Sequence, residues 1–113
     1  MRARLARLHA FAASSRSISI DAEWDPEKNA SNIRKHGVSF QEAGTVFLDA
    51  HSVTIIDAAS TAMAGESRLV TIGQSSIGRL IVVVHTERGD RLRVISARRP
   101  TRRETQEYES SRR

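Results

Sequence analysis

The alternation of apolar and polar positions divides most of the chain into elements. Ile18 and Ile20 alternate with Ser19 and Asp21, a period of two that predicts a first strand running to about Glu23. The period then changes. In WDPEKNASNIRKHG, Asp25 suits a helix N-cap, Pro26 the first helical position and Glu27 the acid-favouring first turn. Arg34, Lys35 and His36 suit a last turn, and Gly37 the left-handed residue that ends it. These signals predict a helix over Pro26–His36. Ser39 and Glu42 are spaced as a capping box and open a second helix to about Phe47, with Phe40, Ala43, Val46 and Phe47 on one stripe.

Strands dominate from there. Residues 52–56, 67–73, 79–86 and 91–98 read as strands, with 57–65 as a loop of small polar residues. The run Leu80 to Val84 has no polar interruption, the mark of a central strand buried on both faces. Turns of hairpin length join the last three strands. Thr101 and Glu104 repeat the capping-box spacing and begin a final helix to about Ser110. The expected fold class is α+β: a four- to five-stranded, mainly antiparallel sheet with two N-terminal helices and one C-terminal helix packed on it. Trp24 is expected in the core, and Tyr108 is expected to pin the last helix. Residues 1–17, with weak helical spacing at Leu5, Leu8 and Ala12, are expected to be a flexible basic arm before a single domain spanning 18–113.

Composition narrows the classes. A chain of 113 residues with 39% hydrophobic and 27% charged residues reads as one ordinary globular domain. There is no cysteine, which excludes a disulfide framework and Cys-based zinc sites and suits a reducing compartment, so the expected location is the cytoplasm. No apolar run approaches the roughly 20 residues of a membrane span. The basic start lacks the apolar centre of a signal peptide; its acid-poor character leaves a transit peptide as the alternative.

Charge changes the picture most. Residues 1–20 carry Arg2, Arg4, Arg7 and Arg16 without an acid, the middle is net acidic, and residues 91–113 carry eight arginines against three glutamates. Arginine grips phosphate through a bidentate fork and stacks on bases. Clustering at the chain's ends points to a polyanion, RNA first.

The stretches WDPEKNASNIRKHGVSFQEAGTVF and GRLIVVVHTERGDRLRVISARRPTRRETQEY together resemble the BrnT toxins of bacterial type II toxin–antitoxin pairs, over about Ile18 to Tyr108. The resemblance implies a RelE-like fold and a metal-independent endoribonuclease that inhibits translation and growth. It also implies a cognate DNA-binding antitoxin of the BrnA kind, in a hetero-oligomer. Residues 1–17 depart from the pattern, as a misassigned start or an extension.

Such cleavage needs no metal or other cofactor. The 2′-hydroxyl attacks the adjacent phosphorus, and the protein orients the strand, moves protons and stabilises charge. Arg79, Arg93, Arg98, His36 and Glu104 are the candidate catalytic residues; Lys35, Arg91, Arg99, Arg102 and Arg103 are candidates for RNA binding. His85 would suit acid–base work near neutral pH. Plainer roles stand beside each: solvated sheet edge for the arginines, dipole-complementing cations for Lys35 and His36, a half-buried structural histidine for His85, a capping partner for Glu104. Two hairpin registers stay open. An Arg88–Gly89 turn sets Arg79 opposite Arg98; a three-residue turn bulged at Gly89 sets His85 opposite Arg91. No His, Asp or Glu spacing reads as a metal site. A non-catalytic nucleic-acid-binding module, or a degenerate toxin that only binds its antitoxin, are the competing functions.

Overall fold

The computed structural model describes the backbone of residues 6–12, 18–89 and 91–112. The remainder of the expected arm, and Asp90 of the hairpin turn, lie outside the described residues. In chain order the elements are β1 (Ala6–Ala12), β2 (Ile18–Trp24), α1 (Pro26–His36), and α2 (Phe40–Gly44) continued by a 3-10 turn at Thr45–Leu48. Then come β3 (Val53–Ile56), α3 (Ala58–Ala64), β4 (Leu69–Gln74), β5 (Leu80–Arg88), β6 (Arg91–Arg98) and α4 (Arg102–Ser111). The strands form one sheet in the order β1-β2-β6-β5-β4-β3. All neighbours are antiparallel except β2 and β6, which run parallel.

The expected α+β architecture is what the chain adopts, with two differences. Residues 6–12 show no helix; they pair with β2 from Ala6 opposite Trp24 to Ala12 opposite Ile18, giving the sheet a sixth strand. Leu8, Ala10 and Ala12 also fit a period of two, so the sparse helical spacing was not diagnostic. Residues 58–64, expected as loop, are helical. The Asp57 side chain accepts from the Ser60 N–H at 3.1 Å, and Gly65 closes the far end in the left-handed conformation. This helix buries no residue, so no apolar stripe announced it.

Helix α1 has the expected ends: Asp25 accepts from the Glu27 N–H at 2.9 Å, and Gly37 sits at φ 68°. Its burial is polar. Asn32, 6% exposed, donates from Nδ2 to the Val38 and Ala97 carbonyls (2.9 and 2.7 Å) and accepts from the Ala97 N–H at 3.2 Å. Asn29, one turn earlier, accepts from the Phe40 N–H at 2.8 Å. Two asparagines thus dock α1 on β6 and start α2, and truncating Asn32 would orphan buried backbone groups.

The sheet has a helix-covered first face. Trp24, Val38, Phe40, Ala43, Val46, Ile81, Val83, Val94 and Ala97 form its core, all at most 6% exposed. Gly73 lets the 3-10 turn lie flat on this face, since a Cβ there would stand 2.9 Å from the Val46 carbonyl oxygen. Helix α4 crosses the second face, where Tyr108 closes a groove lined by Val53, Ile55, Val70 and Ile72. Its phenol, 2% exposed as a residue, donates to Asp49 Oδ2 at 2.5 Å. Burial would raise the Asp49 carboxyl, but bonds from the Gln74 N–H, Tyr108 and the His51 N–H hold it below its ordinary value.

Candidate nucleic-acid interface

The hairpin register decides which arginines share a face, and it matches neither of the two considered. Arg88 pairs with Arg91, Thr86 with Arg93 and His85 with Val94; the register then shifts between Val84 and His85, so that Val84 meets Ser96 and Val82 meets Arg98. The bulge takes up one residue of β6. Because Val94 and Ala97 point into the core, Arg91, Arg93, Ser96 and Arg98 point to the second face. Arg79, two residues before the core residue Ile81, points to the first face instead.

Arg79 is held on that side by a carboxylate. Its Nε and Nη2 donate to the two oxygens of Glu42 at 2.7 and 2.6 Å, and Nη2 also reaches the Gly37 carbonyl at 3.1 Å. Ser75 donates to the same carboxylate at 2.7 Å. The Arg79 guanidinium, with Ser75 and the nearby charge of Arg99 helping, keeps the Glu42 carboxyl below its ordinary range. The capping box expected at Ser39 is therefore half formed. Ser39 accepts from the Glu42 N–H at 3.1 Å, but the Glu42 carboxylate bonds to Arg79 and Ser75.

Arg98 is held on the second face in the same way. Nη1 and Nη2 donate to Glu104 at 2.8 and 2.9 Å. Here the capping box is complete, since the Thr101 N–H donates to Glu104 at 2.8 Å and Thr101 caps the Glu104 N–H at 3.2 Å. Arg98 first, and Thr101 with it, hold the Glu104 carboxyl down at about 2. At neutral pH Glu104 is a carboxylate with its acceptors occupied.

The other candidates fall into three places. Lys35 and His36 are exposed at the end of α1, beside the Gly37 carbonyl that Arg79 bonds. Arg99, Arg102 and Arg103 are exposed around the start of α4, with Arg103 3.4 Å from Glu107. Cations in a first turn oppose the helix dipole, so Arg102 and Arg103 do not serve the helix. Arg91 and Arg93 lie at the other end of β6, ~23 and ~17 Å from Arg98 at the rise of a strand. Arg93 Nη2 is 3.9 Å from the buried Glu23, and its Nε is buried without a partner among the described residues.

His85 belongs to the core. It is 1% exposed, its Nε2 shares a 2.7 Å hydrogen bond with Thr71, and its ring stands edge-on to Phe47 at 4.8 Å. Burial pushes its pKa down to about 4, so it is neutral at physiological pH. Among the described residues, no three His, Asp or Glu side chains gather as metal ligands. None of the described helices is long and apolar enough to cross a membrane.

Residues 24–104 contain nearly all of this geometry, and they match the family described as ribonuclease toxin, BrnT, of type II toxin-antitoxin system. The chain belongs to the BrnT family. No curated protein matches it. BrnT membership makes it a toxin of a type II toxin–antitoxin system, and implies an RNA substrate and an antitoxin partner. Several residues that shape this BrnT site were not among the sequence candidates: Asn32, Asp49, Thr86, Glu23 and Arg68, with Glu42 read only as a capping-box partner. Asn29 and Asn32 had a readable cue, since two asparagines spaced i, i+3 share one side of α1.

Proposed function

We propose that the chain is an endoribonuclease that cleaves RNA by transesterification without a metal ion, and thereby blocks translation and growth. A cognate DNA-binding antitoxin of the BrnA kind silences it in a hetero-oligomer. One observation carries the reading: β6 aligns Arg91, Arg93 and Arg98 on the second sheet face, with Arg98 already oriented by Glu104.

The reaction breaks the O2′–H and P–O5′ bonds and forms the O2′–P and O5′–H bonds, the proton leaving to and returning from solvent water, and negative charge builds on the phosphate oxygens in between. Fixed guanidiniums lower that barrier because they are aimed before charge develops. Arg98 keeps its Nε–H outside its pair with Glu104 and offers it to the phosphate. Glu42 and Glu104 already bind guanidiniums, so neither carboxylate is open to a divalent ion. Catalysis is then a matter of orientation and charge. Glu104 positions Arg98, and Lys35, Arg99, Arg102 and Arg103 attract the backbone. His36 and His85 both lie off this face. For the antitoxin, Ile55 and Ile56, 61% and 69% exposed, offer apolar contacts on the two faces of the edge strand β3.

The test is RNA degradation by the purified chain in EDTA and in magnesium, with Arg98→Ala beside it. Equal rates in both buffers, and a loss of roughly 10²–10³-fold at saturating RNA in the variant, are expected. Activity abolished by chelation and restored by a divalent ion would overturn the reading. Tight RNA binding without cleavage would assign the chain to the non-catalytic class.

A further inference from the structure

On the second face, at the hairpin end of the sheet, the strand register sets four side chains in one row. Glu23 pairs with Arg93, and Arg93 with Thr86. Arg68 immediately precedes β4, and continuing its Leu69–His85 register places Arg68 on the far side of Thr86. Neighbouring strands stand ~4.8 Å apart, so Thr86 has a guanidinium-bearing residue on each flank.

The row is built of polar groups that the fold leaves unanswered. Thr86 is 1% exposed, and its Oγ1 is buried without a hydrogen-bond partner among the described residues. Among the same residues Arg68 Nε and Arg93 Nε, on either side, are buried without partners as well. Their ion pairs are loose: Arg68 to Glu66 at 3.5 Å, Arg93 to Glu23 at 3.9 Å. Charge-assisted bonds of this type close to about 2.7–2.9 Å, as Arg79 and Arg98 do with Glu42 and Glu104. Orphaned buried donors are rare in folded proteins. Here three fall side by side, two of them on cations whose outer surfaces stay partly open (22% and 29% exposed side chains).

We infer that Arg68, Thr86 and Arg93 form a phosphate-binding site. An acceptor that is anionic and offers several oxygens would take both guanidinium forks and the hydroxyl at once, which a carboxylate-paired arginine cannot do. Arg93 is also on the strand that carries Arg98, so the site would hold a backbone phosphate of an RNA laid along β6. This rests on the ribonuclease reading for the source of the phosphate, and on the row itself for its chemistry.

The experiment measures binding, apart from cleavage. Arg68→Ala, Arg93→Ala and Thr86→Val are compared with the parent for affinity to a 2′-O-methyl oligoribonucleotide, which cannot be cleaved, across a salt series, and to inorganic phosphate. Melting curves are recorded for each. Both arginine variants are expected to weaken oligonucleotide binding about tenfold or more and to flatten the salt dependence by about one unit of slope. Thr86→Val should weaken it several-fold, and inorganic phosphate should compete in the parent only. If phosphate binding alone responds, the site stands and its ligand is a free phosphate. If the alanine variants unfold, Arg68→Lys and Arg93→Lys keep the stem and charge and lose the fork; weaker binding at the parental Tm then supports the site. Folded variants that bind both ligands like the parent would overturn it. A chain that binds in this pattern without cutting RNA would sink the ribonuclease reading and leave the site standing.

Discussion

Two sets of arginines on one sheet meet different fates. Arg79 and Arg98 each close on a carboxylate through two short bonds, 2.6–2.9 Å, and that carboxylate is itself held by further donors. Arg68 and Arg93 stand 3.5 and 3.9 Å from theirs and keep a buried donor unfilled. The difference is where the acid sits. Glu42 and Glu104 lie on helix starts, where capping and the dipole fix a carboxylate in the arginine's path. Glu23 is a cross-strand neighbour, and the pleat sets its distance. A saturated arginine builds the fold or aims at one target; an unsaturated one is available to a ligand.

The sharpest break in this comparison is a matched pair of variants. Arg93→Ala is expected to weaken RNA binding about tenfold or more with little change in Tm, as the loss of a backbone-phosphate contact does. Arg79→Ala is expected to do the reverse, with RNA binding close to the parent's and a lower Tm, because Glu42 loses its main partner. Equal binding defects in both, measured beside melting curves, would erase the distinction.

His85 tests whether the helix-covered face is structural only. Its pKa near 4 lies below the ordinary 6.5, so the unfolded chain takes up a proton that the folded chain refuses. Stability should therefore fall as pH drops from 6.5 toward about 4, by up to roughly 3 kcal/mol. Denaturant titrations across that range, with His85→Gln as the comparison, would show the slope disappear in the variant. His36→Ala should leave the cleavage rate within tenfold, as its position off the second face requires.

A smaller effect is expected at the Arg98 support. Thr101→Ala removes the cap that holds the start of α4 and should cost about 1 kcal/mol. It also leaves Glu104 with less to fix it, so cleavage should fall several-fold. Glu104 adds an acid limb: its lowered pKa stabilises the fold above 4.5, and that contribution is lost as pH falls toward about 2. The smallest effect belongs to Arg102→Ala, within ±0.5 kcal/mol in stability and about one unit in the salt slope of RNA binding.

The element list was largely legible in the residues. Asp25, Pro26 and Gly37 marked both ends of α1, because caps and left-handed residues act within one turn of the chain. The unbroken run before His85 marked the central strand, and the arginine-rich end marked a polyanion partner. Helix α3 and strand β1 were not legible. The first carries no apolar stripe, and the second had a pattern that suited two periods. What only the tertiary structure decided was partnership. A bulge between Val84 and His85 moved Arg98 to the face opposite Arg79, and sequence spacing holds no record of a bulge. Glu42 and Glu104 had the same capping-box spacing; one completed the box and the other turned to an arginine 37 residues away. Arg68 drew no notice in the sequence because its neighbours Thr86 and Arg93 come from other strands. Local chemistry is written within a turn or a strand, whereas long-range pairing is set by register, and register is settled only when the whole sheet closes.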